Sequence, residues 1–152
     1  MARQRVRDEW LERIKAVERE FLVAQTAVED FWTALNSGIT ELPAKTKARD
    51  AQATSDHLEG TYLIRLFAAF ESGLRSYYAT LKDTTPAMKD LIDAIAARRN
   101  VSDELRDEVH EVREYRNSLV HEGENEIEPV ALSVARSRLC TYFARLPDDW
   151  KS

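Results

Sequence analysis

Arg116 and His121, five positions apart with Asn117 beside the first, are the residues of this 152-residue chain best placed to do chemistry together. They fall on a helix expected over about 103–121, whose inward stripe runs Leu105, Val109, Val112, position 116 and Leu119, at steps of 4, 3, 4 and 3. Position 116 calls for a hydrocarbon and holds an arginine. At about 100° per residue, its apolar neighbours lie within roughly 60° of it on the helical wheel. Charges are rarely buried without a partner, and local rules that fail tend to fail at functional sites. A second, polar stripe runs beside it: Arg106, His110, Arg113, Asn117 and His121. An arginine offers a permanent charge and a planar fork of donors that suits phosphate. A histidine is the side chain whose proton moves near neutral pH. A cation, an imidazole and an amide, with no set of metal ligands and no cofactor motif, suit metal-independent chemistry on a phosphodiester. RNA brings its own nucleophile, the 2′-hydroxyl. One group must take that proton, one must protonate the 5′-oxygen, and one must stabilise the charged phosphorane.

Each of these residues also has a plainer role open to it. Arg116 could be a structural arginine paired with a carboxylate on a neighbouring helix, and His121 a helix-end imidazole favoured by the dipole. His110 lies about 16 Å along the axis from His121 and reads as a surface residue. His57 reads as incidental. Glu71 and Arg75, four apart, read as a surface ion pair, with Glu71 also a candidate to support Arg116 from the next helix. Arg113, Arg98 and Arg99 are candidates to hold a substrate backbone. Phe67, Phe70, Tyr77 and Tyr78 read as core rather than as base-stacking platforms, and Cys140 as a small packed residue.

The elements that must position these groups are all helical. Residues 3–36 carry Trp10, Ile14, Val17, Phe21, Ala24, Val28, Phe31 and Leu35 in alternating steps of 4 and 3, a seam on one helix of roughly 50 Å. Such a helix needs a long partner, in the same chain or in a second copy. Asn36-Ser37-Gly38 stops it. A connection over 37–53 contains Pro43 and has an Ala-rich, helix-compatible second half. Asp56 and Glu59 resemble a capping-box start for a second helix that runs to about Leu81 and is apolar around most of its circumference. Gly73 within its stripe predicts a close helix approach. Thr85-Pro86 predicts the start of a third helix, Ser102 caps a fourth and Pro129 opens a fifth, which buries Leu132, Leu139, Tyr142, Phe143 and Leu146. The fold class is all-α: a mostly antiparallel bundle of about five helices with a long N-terminal helix, in one domain over 1–152, with the core bundle at 55–146.

Composition agrees. Gly and Pro number 4 each, too few for the many turns of an all-β fold. One cysteine excludes an intrachain disulfide and a multi-cysteine metal site. No apolar run approaches the length that spans a bilayer, and a charged N-terminal stretch gives no signal peptide, so the expectation is a cytoplasmic protein away from membranes. Net charge is −5, which disfavours a general DNA-coating role. Residues 101–128 hold ten acids against Arg106, Arg113 and Arg116, a net of −7, so the rest of the chain sums to +2. Asp103, Glu104, Asp107, Glu111 and Glu114 project to the back of the fourth helix, away from Arg116.

Arg116-Asn117-Ser118-Leu119-Val120-His121 resembles the Arg-Asn-x-x-x-His signature of the HEPN superfamily (higher eukaryotes and prokaryotes nucleotide-binding). The stretch from Tyr62 to Ser72 is similar to that family's first core helix, in its stand-alone bacterial groups. The resemblance covers about residues 55–145. It implies a small helical bundle and an endoribonuclease in a toxin–antitoxin, abortive-infection or phage-defence setting. It further implies a symmetric homodimer that joins two motifs across one cleft, and an antitoxin or defence-system partner. Arg116 and His121 would then be catalytic and Asn117 supporting. The products would carry a 2′,3′-cyclic phosphate and a 5′-hydroxyl. Three features depart from the pattern, one of them the acidic stretch Glu122-Gly123-Glu124-Asn125-Glu126 directly after the motif, an awkward neighbour for RNA. The position two after His121, where one subgroup carries a modifiable tyrosine, is Gly123, and the long first helix exceeds the minimal bundle. The alternative is a non-catalytic HEPN-like module that binds a nucleotide or a partner.

Overall fold

A computed structural model describes residues 5–121 and 127–151; the acidic run 122–126, with Gly123, lies outside them. Five helices follow in order: α1 Val6–Asn36, α2 Ala48–Tyr78, α3 Met88–Arg98, α4 Asp103–Val120 and α5 Leu132–Phe143, with no strand among the described residues. The all-α bundle expected from the periodicity is what forms. None of the helices is long and apolar enough to cross a membrane.

The partner of α1 is α2 of the same chain. The seam buries Ile14, Val17 and Phe21, while Val28, Phe31 and Leu35 stay half-buried. In α2 the buried residues run only from Leu63 to Tyr77. The far halves of α1 and α2 therefore form a two-helix arm beyond the bundle, with no third helix among the described residues to complete its core. Around the near halves pack α3, α4 and α5, through Leu91, Ile92, Ile95, Val109, Val112, Leu132, Leu139, Tyr142 and Phe143.

Three helix starts differ from expectation. α2 begins at Ala48, eight residues before Asp56. Asp50 accepts from the Lys47 backbone N–H at 2.8 Å and so caps the first turn, and nothing in 48–55 breaks a helix. Asp56 lies inside α2 and accepts from Gln52 instead. α3 begins at Met88, past Pro86, whose carbonyl accepts from Arg75 at 3.0 Å. α5 begins at Leu132, past Pro129, because its first N–H donates to Glu59 of α2 at 3.0 Å. That cap comes from 73 residues away and has no local sign. Ser102 caps α4 as its type predicts, accepting from the Leu105 N–H.

Gly73 is where α2 meets its neighbours closely. A Cβ there would stand 2.6 Å from the Phe143 ring and 3.3 Å from Trp10. Gly73→Ala is expected to lower stability by about 1–3 kcal/mol through overpacking, although alanine is the better helix former by about 1 kcal/mol. A melting temperature at or above wild type would contradict this packing.

The chain ends by folding back on α2. Trp150 is buried, packs edge-on against Tyr77, and donates its indole N–H to Ser76 at 3.0 Å. Tyr142 is fully buried and donates to the Ile92 carbonyl at 2.6 Å. Burial, helped by the nearby Asp93 charge, pushes its hydroxyl far above the usual tyrosine value; burial also raises Tyr115. The folded state thus keeps these protons where the unfolded chain releases them, above about pH 10. Stability must fall as pH rises through that value. Urea midpoints measured between about pH 9 and 11 are expected to drop, and Tyr142→Phe is expected to make the drop shallower. An unchanged slope in Tyr142→Phe would contradict the assignment.

Candidate functional site

The inward stripe of α4 is deepest at Val109 and Val112, both fully buried, and emerges at its C-terminal end, where Leu119 is 36% exposed. Arg116 sits where the stripe surfaces. This is the physical reason a guanidinium is tolerated there: its stem packs inward and its head reaches the edge of the bundle. The side chain is 28% exposed. Its guanidinium lies over the Phe67 ring, 5.3 Å from the centroid, in cation–π contact. Nη1 donates to Asn117 Oδ1 at 2.9 Å, which leaves the Asn117 amide nitrogen as the donating end of that side chain. Nη2 stands 3.7 Å from Glu71 Oε1, close enough for an ion pair and too far for a hydrogen bond. Nε–H is buried with no acceptor among the described residues. An orphaned donor of this kind costs about 1–3 kcal/mol.

Glu71 serves two cations. Its other oxygen accepts from Arg75 Nε at 3.1 Å. Two guanidiniums against one carboxylate leave a net positive charge at this edge. The structure therefore brings together Arg116, Asn117 and Glu71, and adds Arg75. Glu71–Arg75 is a true i, i+4 pair, only a quarter to a third exposed rather than a surface pair.

His121 is the C-cap of α4. It leaves the helix in an extended conformation, its N–H donates to the Asn117 carbonyl at 2.9 Å, and its ring is exposed. It stands about 7.5 Å further along the axis than Arg116. Leu119 and Val120 lie beside it, Val120 49% exposed. The three motif residues thus occupy one end of α4, with the cation half-sheltered and the imidazole open to solvent.

The other candidates lie elsewhere. Arg98 and Arg99 close α3, next to the opposite end of α4, roughly 20 Å or more along its axis from the motif. Arg99 Nε donates to the Arg145 carbonyl. Neither belongs to this site. Arg113 is also turned away: its Nε donates to His110 Nδ1 at 3.2 Å, toward the preceding turn. His110 in turn contacts Asp93 of α3 at 2.6 Å through Nε2 and is largely buried, contrary to its reading as a surface residue. With Nδ1 accepting, the ring proton lies on Nε2 and goes to Asp93. Sequence could not reveal this clasp, since Asp93 reaches it only across the α3–α4 packing. Phe67, Phe70 and Tyr77 are buried as expected, whereas Tyr78 is half-buried and lines a surface cleft. Cys140 is buried, and burial raises its thiol above the usual value. No protein-family model, no curated protein and no solved structure matches the chain.

Proposed function

We propose that this protein is a HEPN-type RNA endonuclease that cleaves by attack of the 2′-hydroxyl, without a metal, as a homodimer in a toxin or phage-defence role. The observation that carries the reading is Arg116: a guanidinium on the packing stripe of α4, held over Phe67, with one donor unpartnered among the described residues and its Nη2 outside hydrogen-bonding distance of Glu71. In this reading Arg116 binds the scissile phosphate and meets the charge that grows on the phosphorane. His121 moves the proton: the 2′-oxygen forms its bond to phosphorus, the bond to the 5′-oxygen breaks, and the proton of the 2′-hydroxyl ends on that departing oxygen. Asn117 holds the guanidinium in orientation and offers its amide N–H to a phosphate oxygen.

A second copy fits the apolar surface beside the imidazole. Leu119 and Val120 are exposed next to His121, where a dimer would bury them and bring two motifs together. Val120→Glu is expected to yield a monomer in light scattering and to lose cleavage. A fully active Val120→Glu dimer would contradict that interface. The whole reading is tested in cells by inducing wild type and His121→Ala. Growth arrest and RNA breakdown are expected from the first alone, and equal growth of the two strains contradicts it.

One observation favours a second reading. The Arg116–Glu71 ion pair could be purely structural, in a binding or assembly module that uses the two-helix arm to grip a partner. The arm holds an apolar cleft of about 300 Å³ lined by Val28, Phe31, Trp32, Leu42 and Pro43 among others. This reading predicts that Arg116→Ala lowers the melting temperature and changes nothing else.

A further inference from the structure

The face of α2 that holds Glu71 carries a file of polar residues. Glu71, Arg75, Tyr78 and Lys82 follow at steps of 4, 3 and 4, and the Lys82 N–H still bonds the Tyr78 carbonyl, so helical geometry continues past the formal end of α2. The file opens into a cleft of about 210 Å³, lined by Arg75, Tyr78, Lys82, Asp83, Thr84 and Thr85 among others. Arg75 is about a third exposed and uses two of its five donors, on Glu71 and the Pro86 carbonyl. Thr84 and Thr85 are exposed, and Tyr78 supplies a half-buried aromatic wall. Among the described residues that line it, Asp83 is the one acid.

Arg75 of this cleft shares one carboxylate with Arg116. Glu71 offers one oxygen to Arg116 and the other to Arg75. Measured along the helix from Glu71, Arg75 lies about 6 Å away and Lys82 about 16 Å away. Arg75 and Lys82 thus follow one face of α2 away from the carboxylate that Arg116 also faces, on a chain whose net charge is −5. A line of cations beside an aromatic wall is how proteins hold a single strand without reading its sequence. The cations follow the backbone, and any base offers a face to the ring.

We propose that the Arg75–Tyr78–Lys82 cleft binds the single-stranded RNA next to the scissile phosphate. A neighbouring phosphate lodges among Arg75, Lys82 and the Thr84 and Thr85 hydroxyls, and a base stacks on Tyr78. The inference rests on the nuclease reading of Arg116. It adds a preference for unpaired RNA, because bases already stacked in a duplex cannot reach Tyr78.

The test uses a fluorescent 12-nucleotide 2′-O-methyl oligouridine, which lacks the free hydroxyl and cannot be cleaved, with anisotropy read over a range of salt. Wild type is expected to bind it more tightly than the corresponding duplex. Lys82→Ala is expected to weaken binding and to reduce the slope of log affinity against log salt by about 0.7. Tyr78→Leu is expected to weaken binding by about 5- to 150-fold at any salt. Lys82 is exposed, so Lys82→Ala also leaves the melting temperature unchanged. If wild type binds the oligomer and cleaves RNA while Lys82→Ala keeps its affinity and slope, the cleft assignment is wrong and the nuclease reading stands. If wild type neither binds nor cleaves, both fall. Equal affinity for duplex and single strand overturns the stacking role.

Discussion

His121→Ala is expected to slow RNA cleavage by about 10²–10⁴-fold, the usual contribution of a positioned acid–base group, while leaving the fold untouched. The basis for the second half is geometric. The ring is exposed, and the bond that closes α4 comes from its backbone N–H, which alanine retains. Thermal unfolding of the variant should therefore overlay that of wild type, and RNA affinity should change little. Cleavage by His121→Ala at the wild-type rate would remove the proton-transfer role. A large loss of stability would mean that the ring packs on something beyond the present contacts.

Arg116→Ala is expected to reduce cleavage by about 10²–10³-fold, the scale of losing a donor aimed at developing charge. It should also weaken RNA binding, since a phosphate contact goes with it. Arg116→Lys keeps the charge and loses the planar fork, so it should recover only part of the rate. Stability gives the contrast with the assembly reading. The guanidinium stacks on Phe67, pairs loosely with Glu71 and leaves a buried N–H without an acceptor among the described residues. These terms oppose one another, so the nuclease reading expects a small shift in melting temperature and a large one in rate. The assembly reading expects the reverse.

The fold was legible where periodicity and local punctuation govern it. The seam of α1, the greasy face of α2, the Ser102 cap and the close approach at Gly73 are all written in short-range pattern. It was illegible where a partner arrives from far along the chain. Glu59 caps α5, Asp93 clasps His110, and Trp150 docks on Ser76; none of these pairings has a local signature. The candidate site divides in the same way. Helical spacing alone placed Arg116, Asn117 and His121 at one end of α4, whereas it read Glu71 first as a surface partner of Arg75 and only secondarily as a support for Arg116. Spacing could not show that α3 ends at the other end of α4, which removes Arg98 and Arg99, or that His110 draws Arg113 away. Nor could it show that Arg75 shares the carboxylate of Glu71 with Arg116, since that follows from how α2 crosses α4.

In the proposed function, one arginine on a packing stripe turns over RNA using the substrate's own hydroxyl. End-group analysis of RNA incubated with purified protein in excess EDTA tests it directly. Fragments bearing a 2′,3′-cyclic phosphate and a 5′-hydroxyl from wild type, and almost none from Arg116→Ala, are the predicted result. Intact RNA, fragments with 3′-hydroxyl and 5′-phosphate ends, or equal yields from the two proteins would contradict it.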